Sequence, residues 1–183
     1  ILPVLVREFP GRISLDTYHP ETVRRAAGIG PVIVNDVTGF NNPDMIKTAS
    51  EQGLRCIVSH LPKRFGQDIQ LAHTDTLVDS IEQVKNELLE KREEMLYQGI
   101  AAEDIILDPG IGFGKTAELN WKLLEFARLV PGIEVMIGYS RKRFLGENRM
   151  KIEPNLAAGK IAADSGAAYL RVHDVRSHVT LTV

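Results

Sequence analysis

Cysteine is all but missing from this 183-residue sequence: Cys56 stands alone, so no internal disulfide can form. It sits in the apolar run Leu54-Arg55-Cys56-Ile57-Val58 and reads as a buried thiol, a common fate of free cysteine. A chain without disulfides suits a reducing compartment, so the expected location is cytoplasmic. An excess of one charge is missing as well. A formal charge of −2 and a pI near 6.2 leave no electrostatic footprint for nucleic acid or an anionic membrane, and neither is an expected partner. No apolar run comes near the roughly 18 residues of a membrane span. Linkers and low-complexity tracts are absent too, and residues 1–183 read as a single domain. The chain opens on Ile1 rather than Met, in what reads as the tail of a helix, and it closes at Val183 within an apolar pattern. The expectation is a domain truncated at its N-terminus and also at its C-terminus.

The residues that are present, 44% apolar and 25% charged, are enough for one real core. Short runs rich in Ile, Val and Leu alternate with helical patterns, the signature of βα units around a parallel sheet. Strands are expected at residues 12–16, 32–36, 55–60, 105–108, 135–139 and 168–173. Their apolar interiors suit strands covered on both faces. Each ends in polar residues: Asp16-Thr17, Asn35-Asp36, Ser59-His60, Asp108, Ser140-Arg141, and Arg171 with His173 and Asp174. Parallel strands gather such endings at one rim, where βα folds build their sites.

Between the strands, Asn42-Pro43-Asp44 reads as a helix start and Gly53 as its stop. A long helix is expected over 74–98, with Leu77, Ile81, Val84, Leu88 and Met95 inward. Another starts at Thr116 and stops at Pro131-Gly132. A long loop at 61–73, with Pro62, Lys63, Arg64 and Gly66, is expected on the polar rim. This order fits an open doubly wound sheet or part of an eight-stranded barrel, which takes about 250 residues. The shortfall favours an α/β TIM (β/α)₈ barrel with six of its eight βα units in this chain.

The segment from Asp108 through Thr116, Asp-Pro-Gly-Ile-Gly-Phe-Gly-Lys-Thr, invites comparison with a phosphate loop. Only three residues separate Gly110 from Gly114-Lys115-Thr116, where that loop needs four, and the glycines do not fit a dinucleotide fingerprint either. What remains is a strand-ending carboxylate and a turn that lets a flat ligand approach the backbone, or else only a βα turn that needs glycine. Asp16, Asn35 and Asp108 suit an amidine-like heterocycle, because carboxylates accept paired N–H bonds and an amide both donates and accepts. The alternative is that Asp16 and Asp36 cap the turns after them. Ser140-Arg141-Lys142-Arg143 and Arg171-Val172-His173-Asp174 place positive charge elsewhere on the rim, suited to a pyrophosphate. A surface cluster paired with Glu147, Glu153 or Asp174 is the competing reading. Tyr18, His19, His73, Trp121 and His178 read as packing or surface residues.

Taken together, Ile13 through Thr17, Ile33 through Gly39, Asp108 through Lys115, Ser140-Arg141-Lys142 and Arg171 through Asp174 resemble the dihydropteroate synthase family. The resemblance runs along essentially the whole chain. It implies a pterin-binding TIM barrel and a transferase of folate biosynthesis, the target of sulfonamides. That enzyme condenses 6-hydroxymethyl-7,8-dihydropterin diphosphate with p-aminobenzoate, giving 7,8-dihydropteroate and diphosphate. By the same resemblance Asp16, Asn35, Val37, Asp108, Gly112, Phe113 and Lys142 would meet the pterin. Arg171 and His173 would hold the diphosphate, and Lys115, Ser140 and Arg143 would face p-aminobenzoate. Asp16, Lys142, Arg171 and His173 would be the catalytic set. The implied cofactor is Mg²⁺, with its ligand expected in a segment N-terminal to these residues and none in this chain; the implied assembly is a homodimer. Two departures stand out. The family usually has Met-His where this chain has Ser59-His60, and many members have Ser at the position of Arg143. These leave room for a non-catalytic pterin-binding paralogue. A methyltetrahydrofolate-dependent methyltransferase would keep the pterin set, but it has no diphosphate to hold.

Overall fold

Alternating side chains decide the architecture. In a computed structural model that describes residues 1–62, 78 and 80–181, strands β1 (Ser14–Asp16), β2 (Ile33–Asp36), β3 (Arg55–Ser59) and β4 (Ile105–Asp108) form one parallel sheet in that order. β5 (Met136–Ile137) pairs in parallel with β6 (Tyr169–Leu170), and a parallel bridge between Leu107 and Val135 joins the two sets. Successive residues of a strand face opposite ways. Val34, Cys56, Val58, Ile105 and Leu107 belong to the main core, together with Met45, Ile46, Val84, Leu88 and Met95 from the helices. Ile57, Ile106 and Met136, with Ile33 packed on them, make a separate small cluster on the other face.

The helices follow their caps. α1 spans Leu2–Glu8 and α2 Pro20–Ala27. In α3 (Pro43–Glu51) the Asn42 side chain accepts from the Asp44 N–H at 3.0 Å, as its sequence implies. The long helix is shorter than expected. α4 spans Ile81–Tyr97, because Ser80 caps it through the Gln83 N–H while Val78 pairs in parallel with Lys115. The Ser80-Ile81-Glu82-Gln83 pattern is a capping box, and it outweighs the apolar period that points further back. The expected residues 63–77, which include most of the 61–73 loop and His73, lie outside the described residues.

The helix expected after Thr116 divides. α5 (Ala117–Lys122) passes into a 3₁₀ segment, Leu123–Leu129, which buries Leu123, Leu124 and Phe126. α6 (Ile152–Asp164) and the single turn α7 (Val175–His178) follow among the described residues. The strands expected at 135–139 and 168–173 keep two ladder residues each. Beyond the named strands, the Arg171 N–H still reaches the Ile137 carbonyl at 3.0 Å.

Candidate functional site

Register stacks the inner face into layers. Asp16 pairs with Asn35, Asn35 with Ile57, Ile57 with Ile106, and Ser59 with Asp108. Two residues further along each strand from Ile33, Ile57, Ile106, Met136 and Tyr169, the same face carries Asn35, Ser59, Asp108, Gly138 and Arg171, with Asn35 level with Ile57 and Ser59 with Asp108. Polar residues here need partners, because an unpaired buried polar group is costly. Asp108, 1% exposed, receives the Gly110 N–H on Oδ1 at 2.8 Å. Its Oδ2 receives the Ser59 hydroxyl at 3.2 Å and Arg171 Nη2 at 3.5 Å. Asn35 is 2% exposed, and its Oδ1 has no donor among the described residues.

The turn after β2 belongs to Asp36. Its Oδ1 accepts from the Thr38 N–H and hydroxyl at 2.8 and 2.7 Å, and its Oδ2 accepts from Phe40 N–H at 3.2 Å. Burial raises its pKa against those bonds. Asp36 is thus the residue that builds the turn, while Asp16 stands exposed at the end of β1.

The glycine-rich segment is braced from below. Lys115, which is buried, donates to the carbonyls of His60, Gly110 and Phe113 at 3.3, 2.9 and 3.0 Å. Burial brings its pKa down to about 7, with Lys142 pushing the same way and Asp108 and Glu87 opposing. Asn120 Oδ1 accepts the Gly112 N–H at 2.8 Å. Gly110 has no substitute here: its φ is +64°, and a Cβ would lie 2.1 Å from the His60 carbonyl oxygen. Across Gly112 runs Lys142, whose ammonium bonds the Ile111 carbonyl and lies 4.9 Å from the centre of the Phe113 ring. Burial lowers the Lys142 pKa to about 8, opposed by Asp108 and assisted by Arg171.

A cavity of about 370 Å³ opens on this layer, lined by Asp16, Val37, Phe113, Gly138, Ser140, Lys142, Arg171, Val172 and His173. Arg171 lies on Gly138, where a Cβ would sit 2.8 Å from Nη2. Ser140 Oγ accepts the His173 N–H at 3.4 Å and lies 3.0 Å from His173 Nδ1. Either partner can donate in that second contact, because a hydroxyl carries one proton and two lone pairs.

Of the expected residues, Asp16, Val37, Phe113, Ser140, Lys142, Arg171 and His173 share the cavity wall. Asn35, Asp108 and Gly112 are not on it; Asp108 meets it through Arg171. Lys115, expected to face p-aminobenzoate, is instead turned into the protein against its three carbonyls. Arg143 is exposed in a 3₁₀ turn, off the wall. Gly138, Val172 and Asn120 were not anticipated. Asn120 carried a usable signal, since Asn within a helix commonly bonds backbone elsewhere. Among the described residues there is no group of three or more His, Cys, Asp or Glu that could hold a metal ion.

A model of the family described as pterin binding enzymes matches residues 1–173. The dihydropteroate synthase of Escherichia coli K12 is 31% identical over 188 aligned residues, covering 98% of this chain and 65% of that protein. A structure of the Xanthomonas albilineans dihydropteroate synthase with 4-aminobenzoic acid superposes with a TM-score of 0.86 at 31% identity, covering 99% of this chain and 69% of that one. The Anaplasma phagocytophilum dihydropteroate synthase with bound 6-hydroxymethylpterin-monophosphate also gives 0.86, at 29% identity, covering 99% of this chain and 74% of its own. Fold and cavity together define an α/β protein with a charged, ligand-sized site at the carboxyl ends of parallel strands. The chain belongs to the family of pterin binding enzymes. It spans 65% of the length of the Escherichia coli relative. No helix among the described residues is long and apolar enough to cross a membrane.

Proposed function

We propose that this chain supplies the pterin and diphosphate subsites of a dihydropteroate synthase, within a (β/α)₈ barrel of which these residues make six of eight βα units. The observation that carries this reading is one inner face holding hydrogen-bond acceptors beside a cavity lined by Lys142, Arg171 and His173. Asn35 Oδ1 and the Asp108 carboxylate would accept N–H bonds from the amino-pyrimidinone edge of a pterin, and Phe113 with Val37 would border its faces. The cations suit a diphosphate, which Arg binds by paired charge-assisted bonds.

In the reaction, the bond from the exocyclic carbon to the diphosphate oxygen breaks and the diphosphate leaves with the electron pair. The arylamine nitrogen of p-aminobenzoate forms the new bond and releases a proton. Asp16, exposed on the cavity wall, would stabilise positive charge developing at that carbon. Arg171 and a ring N–H of His173 would stabilise the departing oxygens. Mg²⁺, when bound through residues outside this set, would add charge on the same leaving group. A methyl transfer from a folate would leave Lys142, Arg171 and His173 without an anion to hold.

The test is calorimetry on the full-length protein with 6-hydroxymethylpterin diphosphate. Asp108→Asn keeps the shape but presents a donor where the pterin needs an acceptor. Loss of a charged hydrogen bond costs about 1.5–3 kcal/mol, so affinity should fall roughly ten- to hundredfold. Undiminished binding would remove Asp108 from the pterin subsite.

A further inference from the structure

No role above accounts for Ser59, a serine at the buried end of β3 with 2% of its surface exposed. β3 and β4 are parallel neighbours in a register that sets Ser59 opposite Asp108, and both side chains face the same way. The hydroxyl has one proton, and it goes to Asp108 Oδ2 at 3.2 Å. Asn35 Oδ1, on the same face but level with Ile57 and Ile106 in the register, keeps no donor among the described residues.

A carboxylate turns easily, since the last torsion of an aspartate is broad and roughly two-fold. One anchor leaves it free to swing about that contact; an anchor on each oxygen fixes its plane. Asp108 has the Gly110 N–H on Oδ1 and the Ser59 hydroxyl on Oδ2, both from backbone positions held in the sheet or its following turn. Arg171 also touches Oδ2, but at 3.5 Å, and 39% of its side chain is exposed. A group that faces the cavity and would be drawn to a diphosphate is a poor permanent anchor.

We propose that Ser59 is a positioning residue of the pterin subsite: its hydroxyl sets the plane of the Asp108 carboxylate and keeps that plane when Arg171 turns to the diphosphate. This rests on the reading that Asp108 receives the pterin edge. Orientation matters because two N–H groups on a rigid heterocycle meet two acceptors only when ring and carboxylate are coplanar. Ser59 thus preorganises the acceptor, while Asn35 Oδ1, without a donor among the described residues, stays open to a ligand N–H.

The experiment titrates 6-hydroxymethylpterin and, separately, inorganic diphosphate into the full-length protein by calorimetry. The variants are Ser59→Ala, Ser59→Thr, Asp108→Asn and the Ser59→Ala/Asp108→Asn pair. Ser59→Ala should weaken pterin binding about five- to tenfold, the worth of an ordinary hydrogen bond and less than direct loss of the Asp108 acceptor, and leave diphosphate binding unchanged. Threonine keeps the hydroxyl and suits a strand, so Ser59→Thr should bind pterin like the parent. Ser59→Ala should add nothing once Asp108 is Asn, the non-additivity of groups that act through each other. If Ser59→Ala binds pterin normally while Asp108→Asn binds poorly, the inference fails and the role of Asp108 stands. Equal weakening of both ligands, or a threonine variant as poor as alanine, also overturns it, because packing rather than the hydroxyl would then be the cause. Normal pterin binding by Asp108→Asn removes the reading of Asp108 and the role of Ser59 with it.

Discussion

Arg171 has two partners within its reach. It lies on Gly138 with Nη2 3.5 Å from Asp108 Oδ2, and its side chain also lines the cavity where a diphosphate would sit. If it serves the leaving group, Arg171→Ala should weaken pterin diphosphate roughly ten- to hundredfold, as loss of a bidentate charged contact would. Bare 6-hydroxymethylpterin should lose much less, having no oxygens for the guanidinium. Calorimetry with the two ligands reads the difference, and equal losses would assign Arg171 to holding Asp108. At this scale the sequence was legible where chemistry follows from residue type at a strand end, as with Asp16, Arg171 and His173. It was not legible where direction matters. Lys115 follows Gly114 as a phosphate-loop lysine would, yet its ammonium turns inward to three carbonyls. Ser59 reads only as a departure from a family pattern, because its bond depends on the register between two strands.

Between elements, the end of β3 is tied to α4 by His60, whose Nε2 lies 3.1 Å from Glu87 Oε2. Burial, with Lys115 nearby, brings the His60 pKa down from 6.5 to about 4, and the bond to Glu87 only partly offsets that. The folded imidazole is therefore neutral where an unfolded one already carries a proton. Unfolding takes up a proton between about pH 4 and 6.5, so stability rises with pH across that window and is lost as pH falls through it. The full window is worth on the order of 2–3 kcal/mol. Urea unfolding at steps from pH 7 to 4.5 should show this slope, and His60→Gln should flatten it. An unchanged slope in that variant would place the acid sensitivity elsewhere. Strand and helix order was readable from period and caps. The start of α4 was not, because apolar spacing continues past Ser80 and only the cap shows where the helix begins.

On the scale of the whole molecule, two strand edges stand out. Among the described residues β1 pairs only with β2, and β6 pairs only with β5 beyond the bridge that joins the two sets. The inner apolar cluster of Ile57, Ile106 and Met136 lies between those edges, and Tyr169 on β6 is 37% exposed. In the proposed barrel, further strands would pair both edges and close the inner layers. A polypeptide of residues 1–183 by itself would carry both edges bare. Bare parallel edges next to apolar surface pair with other chains unless they are covered. Light scattering on that polypeptide should therefore give a concentration-dependent mass above the 20.3 kDa of one copy. Its pterin affinity should also fall well below that of the full-length protein, because the plane of Asp16 and Asn35 is set by β1 and β2, the pair nearest one bare edge. A stable 20.3 kDa monomer with undiminished pterin affinity would show that these residues close their own core, and the barrel reading would have to be given up.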